Sequence, residues 1–412
     1  MKSLAQRVSR ALSQRPWLLF GIQRSGLRLA WKALDLDAAA WVVRRPEWLR
    51  ADSAPQHVLL PQSVEIERID LSVAARIQAT YREQIINAQG IGDGIWEAIR
   101  ETHLAGLREA LLSTDATQFS NFASNLFRTS AVNGFSYGST FDRWPHRWHY
   151  LPLQIELSAV TLAESLGALR VECPEQGPIA GWRRQLTATQ LMDRIEEHLG
   201  LRIEQPRFGN PRGIDFGGRF LARETCSQIY TAQRMIERIN AMQPGGPLSV
   251  VEIGGGYGGL CFWLRRMLGA RAARYAIVDL PEISAIQATF LSQTTEIGVA
   301  LPGEDASNAA IQIVLNDRLG DIGFVPDVVI NQDSLPEMPA SVAAGYLDWI
   351  ARSGARLFLS FNQEAYAENV AEGMQNWVSA MVADDPRYHR LSRELSWDRR
   401  GYIEEAYRLE AA

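Results

Sequence analysis

Residues 250–268 read VVEIGGGYGGLCFWLRRML: an apolar strand, a glycine-rich turn and an amphipathic helix in that order. A glycine turn at the carboxyl end of a first strand lets the backbone come close to a ligand. Two patterns overlap in it. Gly254, Gly256 and Gly259 spell the G-x-G-x-x-G of a dinucleotide site. Glu252, Gly254, Gly256 and Gly258 spell the E-x-G-x-G-x-G of an S-adenosylmethionine site.

Downstream, short apolar runs alternate with helical ones. Strands are expected at Leu248–Ile253, Arg274–Asp279, Ile311–Leu315, Asp327–Asn331 and Arg356–Phe361. Helices are expected at Tyr257–Leu268, Glu282–Ser292, Ser341–Arg352 and Glu364–Val382. Such alternation predicts an α/β fold, a parallel sheet with both faces covered. The end, YHRLSRELSWDRRGYIEEAYRLEA, holds two alternating segments around a tight turn at Arg399–Gly401, which predicts an antiparallel hairpin on the sheet edge.

Upstream the pattern is mainly helical, with Ser72 and Asp115 as N-caps and an aromatic loop at NGFSYGSTFDRWPHRWHYLP. Three regions follow: a basic amphipathic start over 1–55, a helical lid, acceptor-binding or oligomerisation region over 56–200, and the α/β domain over 201–412.

The chain has 412 residues, 46% hydrophobic and 22% charged, as expected of a globular protein. It has no apolar run of spanning length and no leader pattern, so a cytoplasmic protein is expected. Cys173, Cys226 and Cys261 lack metal-ligand spacing and read as buried, reduced thiols. Net charge is −5, yet residues 1–50 carry ten Lys/Arg against three acids. That start would suit peripheral contact with anionic lipid at the inner face of the membrane. Nothing else is basic enough to suggest nucleic acid.

Asp279 can bind a ribose of either cofactor. Glu252 discriminates: a carboxylate beside the loop would repel a pyrophosphate but attract a sulfonium or an ammonium. A basic side chain such as Arg234 or Arg238 would be its alternative partner. The reversed last strand also favours S-adenosylmethionine. A nicotinamide-dependent oxidoreductase or epimerase would be supported by a Tyr-x-x-x-Lys pair, and the only lysines are Lys2 and Lys32. A non-catalytic methyltransferase-like partner subunit is the third reading.

VVEIGGGYGGL, YAIVDLPE, PDVVINQDSLPEM and SWDRRGYIEEAY, with RFGNPRG upstream, resemble the bacterial sugar O-methyltransferase family, over about residues 200–412. The resemblance implies a Rossmann-like class I methyltransferase domain, a seven-stranded sheet ending in an antiparallel hairpin. It also implies a sugar or glycolipid acceptor and a place in polysaccharide or glycolipid biosynthesis. Carried over by position, Glu252, Gly254, Gly255, Gly256, Tyr257 and Gly258 would surround the methionine part of the cofactor. Asp279 would take the ribose and Leu280 the adenine face. Asn316 and Asp317 would reach the adenine amino group, and Asn331 and Gln332 would complete the pocket.

Methyl transfer to an alcohol needs positioning and a base for the hydroxyl proton. Glu337 is the first candidate, Asp333 the second and His389 the third. Trp144, His146 and His149 of the aromatic loop could stack on a sugar. Asn121, Asn125 and Arg128, at helical spacing, could line a polar cleft, and Arg400 and Tyr402 of the hairpin could contact the acceptor. No metal site is expected.

Overall fold

The computed structural model describes residues 68–87, 95–136, 138–139, 151–171, 186–364, 376–399 and 401–410. The basic start, Trp144, His146, His149, Cys173 and Arg400 lie outside the described residues.

In chain order the helices of eight or more residues before the sheet are α1 (Leu71–Asn87), α2 (Ile95–Thr102), α3 (Ala105–Leu112), α4 (Ala116–Ala123), α5 (Leu151–Ser165) and α6 (Ala188–Leu199). A small hairpin follows, β1 (Gly213–Asp215) and β2 (Phe220–Ala222), and then α7 (Thr225–Met242). The α/β alternation comes next: β3 (Leu248–Ile253), α8 (Gly259–Leu268), β4 (Ala272–Asp279), α9 (Pro281–Thr294), β5 (Val299–Ala300), β6 (Ile311–Leu315), β7 (Val328–Gln332), α10 (Ala340–Arg352) and β8 (Leu357–Gln363). The chain ends with one helical turn, α11 (Val378–Met381), and the hairpin β9 (Tyr388–Leu395) and β10 (Tyr402–Leu409).

The main sheet has the order β5-β6-β4-β3-β7-β8-β10-β9. Strands β3 to β8 run parallel, and β10 is antiparallel to both β8 and β9. This is the Rossmann-like sheet of the class I methyltransferase fold. It carries one strand beyond the expected seven, the two-residue edge strand β5. Of the helix expected over Glu364–Val382, only α11 lies among the described residues, and Glu364 itself follows directly on β8.

Strand β3 is buried along its whole length because it lies between β4 and β7 and both faces are covered. Its side chains alternate. Val251 and Ile253 join the core under α10, with Val278, Val329 and Phe358. Val250 and Glu252 therefore point to the opposite face. Helix α9 is buried from Pro281 to Leu291, and its buried residues include the polar Glu282, Ser284, Gln287 and Thr289. A stretch buried all round must be covered on every side. The sheet covers one side of α9 and α1 covers another.

Contacts divide the described residues into two units. One comprises those within 136–205 and 212–227; the other, those within 66–135, 206–211 and 228–412. Helices α1 to α4 thus group with the sheet, whereas the composition shift suggested a boundary near residue 200. The reason is that α1 meets the otherwise uncovered side of α9. In the first unit, α6 opens on a reciprocal cap between Thr187 and Gln190 and ends at Gly200 in the left-handed region. Among the described residues no helix is long and apolar enough to cross a membrane.

Candidate functional site

The loop after β3 emerges at the carboxyl edge of the sheet, at its centre. Gly254 has φ 74°, and a Cβ there would lie 2.0 Å from Ser334 Oγ. At Gly255 a Cβ would lie 2.6 Å from Ile277 Cγ2. Neither position tolerates a side chain, so the loop presents bare backbone. The Tyr257 ring turns inward instead. It packs edge-on against Phe127 (5.1 Å) and Phe290 (5.0 Å), and its hydroxyl donates to Gln228 Oε1 at 2.9 Å. Tyr257 therefore gives the turn its backbone, while its side chain is core. The ring of Phe135 lies against Gly256, 3.2 Å from where a Cβ would be.

Asp279 ends β4 beside this loop and is half-buried. Its carboxylate accepts from the Leu280 N–H (2.9 Å) and the Gln287 side-chain amide (2.8 Å). Gln287 also donates to Gly256 O (3.0 Å) and so ties the acid to the glycine loop. Burial pushes the Asp279 carboxyl up to about 7, against the hydrogen bonds that pull it down. The Asn316 N–H donates to Asp279 O at 2.9 Å, and Asp317 beside it is exposed. Gly254 to Gly256, Asp279, Leu280, Asn316 and Asp317 therefore share one edge of the sheet.

Glu252 is placed differently from the expectation. It is 2% exposed, lies below Gly255, and accepts a hydrogen bond from Tyr275 OH at 2.7 Å. Burial raises it to about 7, the Tyr275 bond lowers it and the Asp279 charge raises it. Its carboxyl is turned into the protein toward Tyr275. It does not pair with Arg234 or Arg238, which bind Glu394 and Glu404 of the terminal hairpin.

After β7 the segment NQDSLPEM forms a second loop at the same edge. Asn331 is fully buried and its side chain is consumed by hydrogen bonds inside the protein, so it is not a ligand contact. Gln332 ends β7 and is half-buried. Asp333 adopts φ 67°, rare for a non-glycine residue, and Arg399 donates to its Oδ2 at 2.6 Å. The Arg399 guanidinium stacks on the Tyr402 ring, 3.6 Å from its centre, and bonds to the Tyr402 hydroxyl.

Glu337 closes a short 3-10 turn, Leu335–Glu337, that Asn376 braces through Leu335 O and Met338 O. No hydrogen bond or ion pair engages the Glu337 carboxylate among the described residues. Arg399 is taken by Asp333, and α10 has no side-chain cap. Burial first, then the Asp333 charge, pushes Glu337 up to about 7, while Arg399 pulls it down. A half-buried, unengaged carboxylate that gains its charge near neutrality has the properties of a general base.

Four expected site residues, His389, Arg128, Asn125 and Asn121, sit elsewhere. His389 pairs with Glu410 at 2.9 Å and sits opposite Arg408, which faces Leu357, the first residue of β8. The site lies at the other end of β8, near Gln363, roughly 20 Å away at the strand rise. The added hairpin enters at the amino edge of the sheet, so His389 cannot serve as the base. Arg128 donates to Asn210 O (2.7 Å) and Oδ1 (2.9 Å), and Asn210 donates to Asn125 Oδ1 (3.1 Å). Asn125 in turn bonds Asn121 O. Arg128 and Asn125 hold Asn210 of the 207–210 turn. The helical spacing also fails, because α4 ends at Ala123 and a 3-10 turn carries Arg128. Tyr402, by contrast, is opposite Gln363 at the site edge.

Gln287 and Phe135 were not expected at the site, and Arg399 was expected only in the hairpin turn or paired with Glu337. Cys226 and Cys261 are buried. Among the described residues no group of three or more His, Cys, Asp or Glu is placed to hold a metal ion.

The strand order, with the glycine loop after β3 and the acid at the end of β4, is that of the Rossmann-like class I methyltransferase fold. No family model and no curated protein matches the chain. Among solved structures it is similar to magnesium protoporphyrin IX methyltransferase from Synechocystis PCC 6803 with bound SAH, at 17% identity over 44% of this chain and 84% of that one, with TM-score 0.33. It is also similar to mitomycin 7-O-methyltransferase, at 13% identity over 46% and 56% of the two chains, TM-score 0.34. The pyocyanin biosynthetic protein PhzM is a third, at 10% identity over 46% and 56%, TM-score 0.32.

Proposed function

We propose that this chain is an S-adenosylmethionine-dependent O-methyltransferase that acts on a sugar hydroxyl. The observation that carries the reading is Glu337. It is an unengaged carboxylate, held near 7, at the carboxyl edge of the sheet and one short turn from the glycine loop. The cofactor fits the cradle: Gly254 and Gly255 leave no room for a side chain, and Asp279 stands beside them at the end of β4.

S-adenosylmethionine, when bound, supplies an activated methyl group on a sulfonium. The chain does the rest. The bare loop backbone and Asp279 hold the donor. Glu337 would accept the hydroxyl proton as the acceptor oxygen takes the methyl group and the sulfur leaves as S-adenosylhomocysteine, a contribution of about 10²–10⁴-fold. Arg399 keeps Asp333 paired, so Glu337 is the carboxylate left free to take that proton. The sugar acceptor rests on the resemblance of NQDSLPEM and RRGYIEEAY to the sugar O-methyltransferases.

Calorimetric titration with S-adenosylmethionine, S-adenosylhomocysteine and NAD tests the reading. Saturable micromolar binding of the first two, with none of NAD, is expected, and Asp279→Ala should weaken it at least tenfold. Acceptor screening among sugars would follow. NAD binding alone would overturn the cofactor, and silence from all three would leave the partner-subunit role.

A further inference from the structure

The carboxyl ends of β3, β7 and β8 are joined by side chains as well as by backbone. The Asn331 amide donates to Ile253 O (2.9 Å) and to Ser334 Oγ (2.6 Å), and the Ser334 hydroxyl donates to the same Ile253 carbonyl (3.1 Å). From β8, the Asn362 amide donates to Asn331 Oδ1 (2.9 Å) and Ser360 Oγ (2.8 Å). A reversed Asn331 amide would set oxygen against the Ile253 oxygen, so only one orientation satisfies the group.

Ile253 is the last residue of β3, and its carbonyl receives both donors just before the glycine loop begins. Ser334 then abuts Gly254 so closely that no Cβ fits between them. On its other side Ser334 O accepts the Glu337 N–H at 3.1 Å, which closes the turn that presents Glu337. One residue therefore touches the glycine loop and carries the turn of the base. Asp333, between Asn331 and Ser334, is held in the left-handed region, a strain persisting only where its surroundings over-determine it.

We propose that Ser334 and Asn331 are positioning residues that bolt the glycine loop and the Glu337 turn into one rigid piece, setting the distance from methyl donor to base. The proposal rests on the functional reading above. Its consequence is that the site is pre-organised: a displacement of about 1 Å between reacting groups can cost about 10²-fold in rate, and here both groups hang from one anchor.

Ser334→Ala is the test, since Asn331→Ala would orphan several buried groups and fold poorly. Two readouts need no acceptor. Calorimetry gives the affinity for S-adenosylmethionine. Carbon NMR of carboxyl-labelled glutamates gives the titration of Glu337, its resonance assigned by loss in Glu337→Gln. Ser334→Ala should weaken cofactor binding at least fivefold and move Glu337 at least halfway from about 7 back toward 4.5, because the loosened turn exposes it. Ser360→Ala, which removes only a peripheral bond of the same network, should lower the melting temperature and leave both readouts unchanged. A Ser334→Ala protein that is merely less stable, or that alters one readout only, overturns the bolt. If the unaltered protein binds no S-adenosylmethionine, the functional reading falls. The Glu337 titration in Ser334→Ala then still decides whether Ser334 holds the turn.

Discussion

Glu252→Gln should make the protein more stable at alkaline pH and leave it nearly unchanged in acid. The carboxyl lies beneath the glycine loop with Tyr275 as its hydrogen-bond partner and is pushed from 4.5 to about 7 by burial. In the unfolded chain it ionises near 4.5, whereas in the folded protein it stays protonated until about 7. The stability from its protonated form is therefore complete below the unfolded value. It declines as pH rises and is gone above about 7. The full loss corresponds to about 3 kcal/mol, at 1.36 kcal/mol for each pH unit between the two values. Glutamine keeps the size and an oxygen for Tyr275 but has no charge to bury. Urea unfolding of both proteins at pH 5 and pH 8 reads the effect. The variant should gain about 2–3 kcal/mol over the natural protein between the two conditions. Glu337 titrates in the same window but is present in both proteins and largely cancels in the difference, whereas Asp279, whose charge acts on Glu252, adds to the change. Equal stability differences at the two pH values would refute a buried, late-ionising Glu252.

Glu337→Gln should leave cofactor affinity intact and lower turnover at least tenfold once an acceptor is in hand; unchanged turnover would remove Glu337 as the base. With Glu337 at about 7, the rate should rise with pH toward a plateau above neutrality, and a flat profile from pH 5 to 8 would count against it. Gly254→Ala should destabilise the protein by about 1–3 kcal/mol through its clash with Ser334 and its left-handed φ. Ser334→Gly in the same chain should restore part of that, and strict additivity of the two changes in thermal unfolding would contradict the close approach. His389→Ala should alter neither cofactor affinity nor turnover; a loss of turnover with affinity retained would mean that β9 runs the other way.

Local and periodic features were legible from residues alone. VVEIGGGYGGL carries its own strand, turn and helix signals. Alternation every second residue marked the terminal hairpin, and an apolar strand ending in Asp279 or in NQDSLPEM marked the carboxyl edge of the sheet. Each rests on neighbours a few positions apart, whose geometry the backbone imposes. The remainder depended on which residue meets which across the fold. Glu252 could face a cation or a core, and only the pleat of β3 against β4 turned it to Tyr275. His389 and Tyr402 belong to one hairpin, yet the direction of β10 against β8 sends them to opposite edges. Arg128 reads as one of a helical row until α4 stops short and Asn210 takes its guanidinium. Sequence by itself determined the class of sheet, because that follows from periodicity and strand order. Tertiary structure decided which carboxylate stays free at its carboxyl edge and what holds it, because burial and pairing are set by residues dozens of positions away.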